Sequence, residues 1–449
     1  MTARRTPLNS SLESKDGFAP RLGTVIRFEP HAAAAGVRGL SDTGFRVAAS
    51  SDFKGAQSVP SDFGGADVQY FERFGIAIVR QYPDRLAGYL SRNIQSHIVQ
   101  NARPEREYRA LSTAAPTLAD MAFDPSGPAT HVDYIKGYRD GVNELAERLL
   151  GEGTVQEPTS LRGMKYEEST VTWGLQVIGA DVSKYSGTGI RVAVLDTGFD
   201  ETHPDFRGRI VSKKLFATRS EIGDVHGHGT HCIGTACGPK APASAPRYGV
   251  AYDAEIFAGK VLGDDGYGTD RSIIAGMDWA VEQGCQVISM SLGAVVQKGD
   301  QPTEDYEQIG RVCLDSGTIV IAAAGNESVR PGHISPVGSP ANATTILAVA
   351  AVDGKLQVAR FSSGGINVKQ AVDIAAPGVD ILSSTIGGGY TRLNGTSMAT
   401  PHVAGVAALL AESNASFRGW ALWARVIQLA RQLPIPTRDV GKGLVQAPT

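Results

Sequence analysis

Residues 190–196 read IRVAVLD, apolar on consecutive positions after Arg191 and closed by a single acid, Asp196. The same texture returns in EIFAGKVL (255–262), CQVISMSL (285–292), TIVIAAAGN (318–326) and TILAVAAV (345–352). Between these runs, RSIIAGMDWAVEQG (271–284) and YEQIGRVCLDSG (306–317) carry a helical period. Strands with no in–out alternation are buried on both faces, and strands alternating with amphipathic helices build a parallel sheet. The reading is an α/β fold around a doubly wound, mostly parallel sheet. Ligands bind such sheets beyond the carboxyl ends of the strands, where Asp196 and Asn326 each close a run.

The chain has 449 residues, 43 basic and 46 acidic, for a formal net charge of −3. That balance offers no basic footprint for nucleic acid. No apolar run approaches the roughly 18 to 20 residues of a membrane span, so neither partner is expected. The opening MTARRTPLNSSLESKDGFAP has no apolar core behind its arginines and does not read as a secretory signal. A cytoplasmic protein, or one exported by another route, is the expectation. Cys232, Cys237, Cys285 and Cys313 are expected to be free and buried, since a chain of this length needs no disulfide staples.

Three histidines, His226, His228 and His231, fall within DVHGHGTHCIGT (224–235). Close histidines are one way to hold zinc; a single histidine beside a serine and an aspartate would instead activate a nucleophile. A third stretch, LNGTSMATPHVAGVAALLAES (393–413), puts Ser397 where a tight turn opens an apolar helix. Unpaired backbone N–H groups and the helix dipole favour negative charge there. Taken alone, Ser397 reads as a helix cap, Asp196 as a turn residue and His228 as a ligand or core histidine.

Together the three blocks resemble the subtilisin-like serine proteases, on the proteinase K side of that family: VAVLDTG with Asp196, GHGTHCIGT with His228, and NGTSMATPHVAG with Ser397. The order Asp, His, Ser is the subtilisin order. SMSLG, AAAGN, DIAAPG and VGKGLVQA extend the resemblance over about residues 170–449. It implies a serine endopeptidase of broad specificity acting on proteins or peptides, with no cofactor required for chemistry. In it Ser397 attacks the peptide carbonyl, His228 moves the proton and Asp196 orients His228. Asn326 and the Ser397 backbone N–H stabilise the oxyanion, with Thr396 holding the Asn326 region. That role makes the Asn-x-Ser/Thr triplet at Asn326 implausible as a glycan site, and the triplets at Asn342, Asn394 and Asn414 are read as chance. A metallohydrolase built on His226, His228 and His231 is the rival chemistry, but it leaves the serine and asparagine blocks unexplained. Cys232 is placed beneath the His228 imidazole.

The resemblance also implies that Gly266, Tyr267 and Gly268 on one side, and Ser291, Leu292 and Gly293 on the other, grip an extended peptide by strand addition. The primary pocket would be walled by Ser291–Gly293, Ala324 and Gly325, with Gly338 at its base and Glu327 at its rim. The Ser339–Pro340 peptide bond is expected to be cis. Asp205 matches a family calcium ligand, but the loop GPKAPASAPRYG (238–249) lacks the asparagine-rich partner run. A structural calcium site is instead assigned to Asp373, with carbonyls near Thr344 and Ile346.

The front of the chain divides, by texture, into an extension at 1–65, a small α+β pro-region-like unit at 66–110, a linker with an amphipathic helix at 111–165, and the peptidase domain at 166–449. Within it YFERFGIAIVR reads as a strand, PDRLAGYLSRN as a helix and SHIVQNA as a strand. The pro-region is expected to act as an intramolecular inhibitor, removed by a cut between about Leu111 and Thr172, with Gly151–Pro158 as a candidate. A permanent regulatory domain, and a catalytically idle scaffold, are the alternatives.

Overall fold

The computed structural model describes residues 22–53, 63–80, 83–114, 166–218 and 220–449. The chain begins with β1 (Thr24–Phe28), α1 (Ala33–Asp42), β2 (Val47–Ala49), β3 (Val68–Phe71), β4 (Ile76–Val79), α2 (Pro83–Gln95) and β5 (Val99–Pro104). They form a sheet of order β2-β3-β4-β1-β5. β1 therefore lies antiparallel between β4 and β5, which corrects the boundary at residue 66. A short strand among loops carries little local signal; its place is decided by partners far along the chain. YFERFGIAIVR is likewise a hairpin, β3 and β4, and not one strand. Its turn needs Gly75 at φ 63°, a conformation that side chains other than glycine rarely take.

Alternation along these strands splits the unit in two. Ile26, Phe28, Ala77 and Val79 join Leu40 and Tyr89 in a core of their own. Val25, Ile76 and Ile78, with Phe71 and Phe74, face the other way and join the core of the larger unit. The small sheet is thus completed by the peptidase. Arg73 pairs with Asp278 at 2.9 Å and Arg27 with Glu304 at 2.5 Å across the same boundary.

After β5 the chain runs through β6 (Glu107–Ala110) and β7 (Thr113–Ala114). Residues 111–114 belong to this crossing and not to a linker. The helix read at 131–150 and the run Gly151–Pro158 lie outside the described residues.

The larger unit contains β8 (Arg191–Asp196), β9 (Val211–Leu215), β10 (Glu255–Lys260), β11 (Tyr267–Thr269), β12 (Val287–Met290), β13 (Leu292–Gly293), β14 (Ile319–Ala323), β15 (Leu347–Val352), β16 (Ile374–Pro377), β17 (Ile381–Ser384) and β18 (Tyr390–Asn394). Seven form a sheet of order β16-β15-β14-β12-β8-β10-β9, and every pairing in it is parallel. β14 and β15 are buried at every position, as their continuous apolar runs require. The helices that flank the site are α3 (His228–Cys237), α4 (Asp270–Glu282), α5 (Glu304–Asp315) and α6 (Thr396–Ser413). α6 packs on β12, β14, β15 and β16, and α3 packs on both β8 and α6.

From β8 the chain first builds outward through β9 and β10, then crosses to β12 on the other side. The direction of winding therefore reverses between β8 and β12, and Asp196 stands at that end. All four cysteines are free and buried. No helix among the described residues is long and apolar enough to cross a membrane.

Candidate active site

Three elements bring three polar side chains to the carboxyl end of the sheet. Asp196 is the last residue of β8, His228 the first of α3, and Ser397 the second of α6. All three are buried. His228 Nδ1 lies 2.7 Å from Asp196 Oδ1. A carboxylate only accepts, so Nδ1 carries the proton, and in the neutral ring Nε2 presents the lone pair. Burial is the largest single influence and pulls the imidazole pKa down, but Asp196 and Cys232 together more than offset it and hold His228 well above the ordinary histidine range. Ser397 Oγ donates to the Ser291 carbonyl at 3.0 Å, and His228 Nε2 is buried with no hydrogen-bond partner among the described residues. The second bond of the relay is not formed in this arrangement, because the Ser397 hydroxyl is turned to the Ser291 carbonyl.

Asn326 follows β14 by three residues. Its Oδ1 accepts from the Thr396 backbone N–H at 2.9 Å and from Thr396 Oγ1 at 2.8 Å, which fixes the amide's orientation. Its Nδ2 then points outward and donates to the Leu111 carbonyl at 2.6 Å. Only glycine is compatible with position 395: a Cβ there would sit 2.4 Å from that same Leu111 oxygen.

The segment delivering Leu111 is β6, which pairs antiparallel with β11 and β13 at once. Tyr267 faces Arg109 and Gly268 faces Tyr108 on one side; Leu292 faces Ala110 and Gly293 faces Arg109 on the other. Ala110 N–H donates to the Gly266 carbonyl at 3.0 Å, and Leu111 N–H to the Ser291 carbonyl at 3.4 Å. Leu111 is buried against Gly293, where a Cβ would come within 2.8 Å of Leu111 Cδ1. Gly338 hydrogen-bonds to the Ala324 carbonyl at 2.9 Å, and Gly325 N–H to Thr396 Oγ1 at 3.2 Å, so these residues sit beside the asparagine. The Ser339–Pro340 bond is cis. Beyond Leu111 the chain continues: Thr113 and Ala114 pair with Asn394 and Leu393 of β18.

Glu327 stands beside Gly325, where a Cβ would come within 2.5 Å of its Oε2. Its Oε1 pairs at 3.2 Å with Arg109, two residues upstream of Leu111. A zinc site on the three histidines does not form. His231 Nε2 lies 3.0 Å from the Ile381 carbonyl, which makes it a donor, and desolvation lowers its pKa to about 3. Among the described residues the sole group of three potential ligands within 4.8 Å is Asp196, His228 and Cys232. There the aspartate and the imidazole are already bonded to each other. Cys232 Sγ lies 3.9 Å from His228 Nδ1, and burial pushes its thiol upward, so it stays neutral.

Asp205 is occupied by hydrogen bonds: Tyr248 Oη donates at 2.6 Å, Tyr390 Oη at 3.0 Å and the Ala243 N–H at 2.7 Å. At Asp373 burial raises the carboxyl to about 7, and among the described residues its side chain accepts from the Ala348 N–H at 2.8 Å. A lone carboxylate is an oxygen ligand of the kind calcium takes, and by itself holds it only weakly.

Lys260 and Asp224 were not singled out in the sequence. Lys260 Nζ donates to the carbonyls of Thr197 and Gly223 at 2.7 and 2.8 Å, and pairs with Asp264. Asp224 accepts from Thr197 Oγ1, Gly227 N–H and Thr230 Oγ1. The two clamp the Asp196 and His228 segments together. A lone cation inside the apolar run EIFAGKVL was the signal that could have found Lys260.

The sequence pattern of the subtilase family matches residues 187–443. The chain is a subtilase. Subtilisin BL of Lederbergia lenta is 37% identical over 281 residues, 62% of this chain and 97% of that protein. Alkaline elastase YaB of Bacillus sp. (strain YaB) is 37% identical over 281 residues, 62% of this chain and 69% of that protein. Subtilisin E of Bacillus subtilis (strain 168) is 39% identical over 249 residues, 55% and 62% of the two chains. This subtilase is accordingly a serine endopeptidase.

Proposed function

We propose that this subtilase is made as a self-processing proenzyme whose first cut is its own Leu111–Ser112 bond. The observation that carries the reading is the Leu111 carbonyl on the Asn326 amide at 2.6 Å, in a chain continuous through Ala114 on the far side. In this reading Ser397 Oγ attacks the Leu111 carbonyl carbon and its proton passes to His228 Nε2. The oxyanion forms against Asn326 Nδ2 and the Ser397 N–H. His228 then protonates the Ser112 nitrogen, the C–N bond breaks, and Leu111 is left as an acyl ester on Ser397. Water, deprotonated by His228, releases it. Residues up to Leu111 would remain in the cleft as a product-like inhibitor. Strand pairing to β11 and β13 goes through backbone groups, which supports broad specificity among peptide and protein substrates.

Intact mass and N-terminal sequencing of the purified enzyme test this. The expected new terminus is Ser-Thr-Ala-Ala-Pro-Thr, from Ser112, absent from Ser397→Ala. A fully active enzyme that keeps the segment ahead of Ser112 would establish a permanent regulatory domain instead. Calcium at Asp373, if structural, raises the Tm of the wild type but not of Asp373→Asn when EDTA is replaced by calcium.

A further inference from the structure

We infer that Asp270 is a specificity-determining residue: it makes the pocket filled by Tyr108 select a tyrosine three residues ahead of the residue whose carbonyl is attacked. The inference rests on the assignment of Leu111–Ser112 as a bond seated for cutting.

Tyr108 lies on β6 opposite Gly268, and its side chain is 1% exposed. A ring this deeply buried is received by a formed pocket and not by a surface shelf. Tyr306, from α5, meets it edge-on with ring centroids 6.0 Å apart. At the end of the pocket Tyr108 Oη donates to Asp270 Oδ1 at 2.9 Å and lies 3.2 Å from Ser339 Oγ. Asp270 is the first residue of α4 and is 0% exposed. The wall is apolar and aromatic, while the floor is a carboxylate, which only accepts. That combination fits a phenol: a flat ring with one donor at its tip.

The surroundings of Asp270 give the selection its strength. Oδ1 also accepts from Tyr306 Oη at 3.0 Å and from Arg103 Nη2 at 3.2 Å. Oδ2 accepts from Arg103 Nη1 at 2.7 Å and from the Arg106 backbone N–H at 2.6 Å. Of these donors only Tyr306 belongs to the peptidase unit; Arg103, Arg106 and Tyr108 all depart with the front segment. The freed enzyme then holds a buried carboxylate at the floor of this pocket with one donor left. A substrate tyrosine replaces the departed Tyr108 hydroxyl. A phenylalanine fills the same volume, displaces water and leaves the carboxylate short of a partner. Sites that hydrogen-bond a substrate hydroxyl reject the analogue lacking it far more strongly than apolar pockets reject a missing methylene.

The test uses active enzyme obtained from the full chain and peptides copied from residues 106–114, Arg-Glu-Tyr-Arg-Ala-Leu-Ser-Thr-Ala, with the tyrosine kept or replaced by phenylalanine, leucine or lysine. Mass spectrometry of the products fixes the cut position. Phenylalanine is expected to lower kcat/KM roughly 10- to 100-fold, the scale of a hydrogen bond to a charged group, with the cut still after leucine. In Asp270→Ala the tyrosine and phenylalanine peptides should be cut about equally. The wild-type series stands alone if that variant does not fold, since Asp270 also anchors the front segment. Equal rates for tyrosine and phenylalanine in the wild type would overturn the inference, as would a lysine peptide cut faster than tyrosine, or a cut at another bond. Fluorophosphonate labelling separates the two levels. An unlabelled, inert protein defeats the parent reading as well, whereas a labelled enzyme that cleaves without discrimination defeats only the role of Asp270.

Discussion

The side-chain amide of Asn326 donates to the backbone carbonyl of Leu111 at 2.6 Å, across 215 residues of sequence. The amide cannot turn away, because Thr396 holds its oxygen with two donors. Asn326 therefore links the end of β14, the start of α6 and the strand that enters the cleft through three hydrogen bonds.

Ser397→Ala removes the nucleophile and leaves the packing of α6 in place. Peptide hydrolysis should fall by roughly 10⁶-fold, the scale reported for loss of the serine in a subtilisin. The variant should keep its full-length mass and a cooperative unfolding transition. Substantial hydrolysis by folded Ser397→Ala would contradict the serine mechanism.

Asn326→Ala deletes a donor aimed at charge that develops only during reaction. kcat should drop by roughly 10²- to 10³-fold, again the subtilisin scale, with KM little changed. Self-cleavage should slow in parallel. A loss confined to KM would assign Asn326 to ground-state binding alone.

The pH profile carries a definite sign. His228 must be neutral to accept the Ser397 proton, so activity rises as pH climbs through the His228 pKa. The Asp196 carboxylate raises that value above the ordinary histidine range, and the acid limb should lie above about 6.5. Asp196→Asn removes the main charge that offsets burial, so the limb should move to lower pH while kcat falls by roughly 10⁴-fold. The check is kcat/KM against pH for both forms; an unmoved limb would mean that another group titrates.

Tyr248→Phe takes one donor from the buried Asp205 carboxylate. A buried acceptor left short of a partner costs about 1–3 kcal/mol. Thermal unfolding in a Ser397→Ala background, which avoids self-digestion, should show the lower Tm. Tyr390→Phe acts on the same carboxylate from a half-buried position and should cost less. Equal Tm for Tyr248→Phe and its parent would remove Asp205 from the stabilising network.

By itself the sequence determined the parallel sheet, the ends of strands where chemistry gathers, and the identities of Asp196, His228, Ser397 and Asn326. Those signals are local. Uninterrupted apolar runs report burial on both faces, and a serine two residues past a glycine, at the opening of an apolar helix, reports its own geometry. Only the tertiary structure decided that β1 belongs inside the front sheet, that Leu111 is the residue seated against Asn326, and that Glu327 faces Arg109. It alone showed Tyr248 and Tyr390 satisfying Asp205, and Asp270 closing the pocket of Tyr108. Each of these is a pairing between distant segments. A strand's alternation does not name its partner, and a hydrogen bond depends on where the fold carries two groups that the sequence keeps apart.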